Sequence, residues 1–237
     1  MAQSTSLMMP QLAPLVVLAF LGTGFLLFCA LVGTAIALAF RKLRIARWIG
    51  AGGLLVAGGY AALLFGSSFV SRDRTLKPGE KKYFCEIDCH LAYSVLGAST
   101  AKALGRPAQL MGASGTFHAI TVRTWFDETT IASFRGNAPL APNPRVVYVV
   151  DAAGRRYAPF PAGQKAWEDE HGPTTPLTKE LRPGESYETT LVFDLPDGVR
   201  SPRLFLGDPL GVENVLIGHE NGPLHGKIYF ALESKAS

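Results

Sequence analysis

The beginning of the chain constrains it most: from Met1 to Phe40 there is no Asp, Glu, Lys or Arg. Within that stretch an apolar run extends from about Leu12 to Phe40, and a second follows from Trp48 to Val70. Crossing about 30 Å of hydrocarbon at about 1.5 Å per residue takes about 20 apolar residues, and each run is longer than that. Between them lies Arg41-Lys42-Leu43-Arg44-Ile45-Ala46-Arg47, a basic connector too short to fold alone. The pattern predicts a transmembrane helical hairpin over residues 12–70, with spans 12–40 and 48–70 and a short tail of residues 1–11 before it. A cleavable signal peptide is disfavoured, because it needs a positive start and an apolar core of about 7–15 residues. Cys29 follows a bulky Phe28, so it reads as a packed helix residue and not as a lipidation site.

Charge sets the expected orientation. The four basic residues of the connector match the formal net charge of +4, and beyond Ser71 basic and acidic residues balance. Basic flanks stay cytoplasmic, and the first span usually dominates, so the connector is expected inside with both termini outside. Arg72, Arg74, Lys77, Lys81 and Lys82 after the second span pull the other way. The neutral balance beyond Ser71 excludes a nucleic-acid binder of the basic-domain type, which needs a surplus of Lys and Arg on its folded part. Small residues at Gly50, Gly58, Ala62 and Gly66 are expected to pack the second span on the first.

Residues 71–82 read as a polar stalk with a turn at Lys77-Pro78-Gly79-Glu80, and residues 83–237 as one β domain. Apolar and polar residues alternate from Cys85 to Val95 and from Thr116 to Phe126, the signature of half-buried strands. Arg145–Val150, a turn at Asp151–Gly154 and Arg155–Ala158 predict a hairpin. A Pro-Gly turn at Pro183-Gly184 feeds Tyr187–Leu195. Arg203–Leu206, Val212–Ile217 and Lys227–Leu232 complete an antiparallel set. Glu128–Pro144 and Phe160–Pro176 are polar and Pro-rich, and read as surface loops.

Gly115-Thr116-Phe117, the run from Val149 to Tyr157, and Leu181-Arg182-Pro183-Gly184-Glu185-Ser186 through Leu191–Pro196 resemble an uncharacterised immunoglobulin-like domain family. That family is carried by bacterial lipoproteins and membrane-anchored surface proteins. The resemblance spans residues 115–206. It implies an extracytoplasmic immunoglobulin-like sandwich and supplies no catalytic residues. The expected fold is therefore a two-helix transmembrane hairpin followed by an all-β immunoglobulin-like antiparallel sandwich.

One string carries potential chemistry: Cys85-Glu86-Ile87-Asp88-Cys89-His90. In a regular strand the two cysteines lie about 13 Å apart on one face, at about 3.3 Å per residue, and His90 points away from both. That geometry makes the cysteines core thiols. If the chain bends, they become a disulfide or redox pair, or thiolate ligands that with His90, His219 and His225 suit Zn or Cu(I). The string also resembles, loosely, the copper-binding loops of cytochrome oxidase subunits and their assembly proteins, but Tyr93 stands where those loops continue with His. Glu168-Asp169-Glu170-His171 reads as a solvated charge run. Motifs for nucleophilic, phosphate-binding or dinucleotide chemistry are absent from the string of residues.

The expected role is a non-catalytic binding or assembly module. It would sit in a bacterial inner membrane, with its C-terminal domain on the periplasmic or extracellular side. The lipid bilayer and a protein at the membrane surface are its expected partners, with no cofactor and no nucleic acid. The alternative is a metal- or thiol-handling accessory protein built on Cys85, Cys89, His90, His219 and His225.

Overall fold

A computed structural model describes residues 13–86 and 89–232. The tail 1–11 therefore lies outside the described residues. Helices α1 (Ala13–Ala39) and α2 (Leu43–Val70) have 27 and 28 residues. The chain leaves α1 through a left-handed Arg41, φ 56°. Arg41 N–H donates to Leu38 O (2.9 Å) and Lys42 N–H to Ala37 O (2.7 Å), which satisfies the last carbonyls of the helix. The helices approach most closely at small residues. A methyl group added at Gly53 would meet Ala30 Cβ at 3.1 Å, and one at Gly33 would meet Ile49 at 3.4 Å. The expected seam at Gly58 and Gly66 faces open space instead, and only its Gly50 end reaches α1, near Thr34. Cys29 is exposed on α1 and not packed between helices.

The chain divides into two units. One comprises Arg74–Pro209 and the segment beginning at Ile228; the other comprises the helices, up to Asp73, and Leu210–Lys227. The first unit holds strands β1 (Arg74–Leu76), β2 (Lys82–Glu86), β3 (Cys89–Leu104), β4 (Met111–Asp127), β5 (Val146–Val150), β6 (Arg156–Tyr157), helix α3 (Pro161–His171), β7 (Ser186–Leu195), β8 (Arg203–Gly207) and β9 (Ile228–Ala231). They form a five-stranded sheet in the order β1-β9-β8-β5-β6 and a four-stranded sheet in the order β2-β3-β4-β7.

Alternation along the strands decides the layering. Leu91, Tyr93, Val95, Ile120, Val122, Phe193 and Leu195 from one sheet share a buried cluster with Leu76, Val149, Leu204, Leu206 and Phe230 from the other. Two inner faces closing on one apolar core make a β-sandwich. Close backbone approach fixes one corner: a Cβ at Gly115 would fall on Leu195 O and within 2.7 Å of Pro196 Cα.

Three expectations change. β1 lies inside the segment read as a stalk and pairs in parallel with β9, so the five-stranded sheet is mixed and not strictly antiparallel. Val212–Val215 forms a single 3-10 turn, not a strand, in the helical unit. The segment Phe160–Pro176 contains α3, whose signals were local: Pro161 starts it and Gly172, φ 93°, ends it. α3 packs Ala166, Phe160 and Trp167 over Phe117, Ala119 and Val192 on the outer face of the four-stranded sheet. Gln164 donates from Nε2 to Thr190 O (3.1 Å) and accepts Val192 N–H at Oε1 (3.1 Å), which covers the middle of the free edge of β7.

Candidate functional site

The β2–β3 hairpin brings together the side chains with chemical potential. β2 pairs with β3 antiparallel, Cys85 opposite His90 and Glu86 opposite Cys89. Residues 87 and 88 connect the strands and lie outside the described residues. A two-residue connection shifts the parity of all that follows, so the single regular strand expected from Cys85 to Val95 is replaced by two. The cysteines then fall on opposite faces: Cys89 is buried in the core and Cys85 is exposed. Sequence alternation misled here because Ile87, a hydrophobe of the right parity, bridges the reversal.

The inner face of the hairpin is charged. Arg145, with 2% of its side chain exposed, pairs with Glu86 (Nη2–Oε1 2.9 Å) and with Asp208. Asn143 Nδ2 donates to the other Glu86 oxygen (2.7 Å). The guanidinium lies over the Phe84 ring at 4.2 Å and the Tyr93 ring at 5.5 Å, and its Nε contacts Tyr93 OH at 3.4 Å. Burial works against the Arg145 charge, but Tyr93, Asp208 and Glu86 outweigh it and push its pKa up. Beside it, the buried Lys82 donates to Leu206 O (2.6 Å) and Ile228 O (3.3 Å), tying β2 to the opposite sheet. Sequence reasoning missed this cluster. Its members lie 59 and 63 positions apart in the chain, and the only local signal is a charged residue abutting the apolar run of β5.

On the outer face Cys85, His90 and Asp127 stand in a row, each opposite the next across β2, β3 and β4. These are the residue types of a nucleophile, base and orienting acid. Their electrostatics oppose that use. Although the residue is exposed overall, partial burial of the Cys85 thiol pushes it up, and the carboxylates of Glu86 and Asp208 push it further, while a nucleophilic thiol needs the thiolate. Burial holds His90 below its ordinary range, only partly countered by Asp127. The Asp127 carboxylate accepts Thr129 N–H (3.0 Å) and Thr129 Oγ1–H (2.7 Å), so it caps the turn after β4.

His219 and His225 belong to the helical unit. His219 Nδ1 accepts Asn221 N–H (3.1 Å), and His225 Nδ1 sits 2.8 Å from Gly226 O. Among the described residues no group of three or more His, Cys, Asp or Glu side chains is placed to hold a metal ion. In the acidic run, Asp169 pairs with Lys165 (2.8 Å), Glu170 accepts Gly105 N–H (3.1 Å), and His171 stacks on Trp167 at 3.8 Å.

No family model matches the chain, and no curated protein matches it. Among solved structures it is similar to the secreted protein MPT63 from Mycobacterium tuberculosis, with 13% identity and a TM-score of 0.42, over 67% of this chain and 97% of that one. An uncharacterized β-sandwich protein from Clostridium difficile is similar at 11% identity and a TM-score of 0.39, over 69% and 96% of the two chains. The yjhA protein of Bacillus subtilis is similar at 14% identity and a TM-score of 0.39, over 66% and 98%.

Proposed function

We propose that this is a bacterial membrane protein whose helical hairpin anchors an immunoglobulin-like sandwich on the periplasmic or extracellular side. The sandwich acts there as a non-catalytic binding or assembly module for a protein at the membrane surface. One observation carries the reading: α1 and α2 are span-length apolar helices, of mean hydropathy 2.7 and 1.7, whose large side chains are left uncovered. Phe25, Leu31, Leu54 and Leu55 are 67–77% exposed. Lipid is the solvent such surfaces require.

Strand order supports the immunoglobulin-like part. The sequence β9-β8-β5-β6 follows the G-F-C-C′ sheet of a variable-type domain, and β3-β4-β7 follows A-B-E. Helix α3 occupies the place in the chain where strand D would fall, and lies along β7, the edge that D would pair. The non-catalytic part is supported by the outer row, which favours a neutral thiol, and by the burial of the charged cluster within the fold.

Cys85 tests the orientation without any engineered label. In intact cells a membrane-impermeant maleimide should modify the chain, and Cys85→Ser should abolish the modification. Because burial and two carboxylates raise the Cys85 pKa, modification should quicken as pH rises from neutral through the ordinary thiol range. Modification only after permeabilisation would place the sandwich in the cytoplasm.

A further inference from the structure

We propose that Leu210–Lys227, which connects β8 to β9, is a third lipid-contacting element, set across the far membrane boundary beside the last three turns of α2. The proposal rests on the anchor reading above. The segment belongs to the same compact unit as the helices. It follows one face of α2. Tyr60 OH donates to Val215 O (2.6 Å), and a Cβ at Gly222 would meet Ser68 Oγ at 3.8 Å. Nearer the helix end, Ser71 Oγ lies 3.1 Å from His225 Nδ1 and accepts Gly226 N–H at 3.2 Å. Leu64 and Ser68, on the same stripe as Tyr60, are buried at 8% and 1% exposure.

Depth follows from helix geometry. Tyr60 precedes Ser71 by 11 residues, or about 16 Å at about 1.5 Å per residue. With the basic connector and Trp48 at one boundary, about 20 residues of helix cross the hydrocarbon and reach about Ser68. Val215 therefore lies below the far boundary and His225 above it.

The composition of the segment is graded to match. Val215, held at the level of Tyr60, is 42% exposed, and Leu210 and Val212, which lead into it, are 82% and 67% exposed. His219, Glu220, Asn221 and Lys227 lie toward the shallow end. Non-helical backbone at this depth requires internal partners, and Tyr60 supplies one to Val215 O. Leu224 adds an independent sign. It is 71% exposed and holds a left-handed backbone, φ 61°, that favours glycine. A leucine kept in the open at such a position serves neither the turn nor a protein core, and does serve a lipid boundary.

The test uses the full chain in phosphatidylcholine–phosphatidylglycerol vesicles, in a Cys29→Ser, Cys85→Ser background. An environment-sensitive fluorophore is placed by Val212→Cys, by Leu210→Cys, by Leu54→Cys within α2, or by Arg182→Cys on a turn of the sandwich. Lipids carrying a nitroxide on the acyl chain should quench the probes at 212 and 210 strongly. The same lipids should quench the probe at 54 and leave the probe at 182 unquenched. Quenching at 54 with none at 212 and 210 would overturn this proposal and leave the anchor standing. Loss of quenching at 54 as well would overturn both.

Discussion

Replacing Arg145 by alanine is expected to destabilise the sandwich by about 3–5 kcal/mol, the cost of leaving buried charges without their partner. The side chain is 2% exposed, and Glu86, its partner at 2.9 Å, is 10% exposed. Removing the guanidinium takes away the cation that Glu86 and Asp208 share and that lies over the Phe84 ring. The intact cluster need not add much net stability, because desolvation offsets the attraction; the penalty lies in breaking it. Arg145→Lys should recover part of the loss, since a point charge replaces a planar fork that meets two carboxylates and an aromatic face. Double substitution of Glu86 and Arg145 by apolar residues should cost less than Arg145→Ala alone. Denaturant unfolding of the detergent-solubilised chain, followed by tryptophan fluorescence, measures all three. A loss under about 1 kcal/mol for Arg145→Ala, the range of an exposed pair, would contradict the buried placement.

The second large effect concerns where the sandwich begins. A fragment starting at Tyr83 omits β1 and Lys82. It therefore loses Leu76, which is 2% exposed in the shared core, and the two carbonyls that Lys82 satisfies on the opposite sheet. Leu76→Ala in the full chain is expected to cost about 2–5 kcal/mol through lost burial and the cavity left behind. A fragment of residues 83–237, which loses β1 entirely, should unfold at lower denaturant than one of residues 74–237, or fail to unfold cooperatively. Equal midpoints would mean that the parallel β1–β9 pairing does not support the fold.

These two effects also mark what the sequence reveals and what it hides. The helices were legible because a charge-free run of span length has few soluble destinations. Strands β4, β5, β7 and β8 were legible because apolar parity and Pro-Gly turns act locally. β1 was hidden: three residues show no period, and Arg74–Leu76 becomes a strand only because β9, more than 150 positions later, offers it an edge. The reversal between Glu86 and Cys89 was hidden because Ile87 keeps the alternation running in the sequence. α3 was readable from Pro161 and Gly172, but its polar composition weighed toward a loop. The candidate chemistry was half legible. Cys89 packs in the core as the strand reading expects, while Cys85 faces outward beside His90, against that reading, and the Glu86–Arg145–Asp208 cluster behind them arises from long-range pairing alone.

Alkaline extraction of isolated membranes measures whether α1 and α2 hold the sandwich in a bilayer. The full chain should remain in the membrane pellet at high pH and enter solution only with detergent, while a fragment of residues 74–237 should be released by the alkaline wash alone. Release of the full chain without detergent, or recovery of a mature chain that begins beyond α1, would contradict the two-helix anchor.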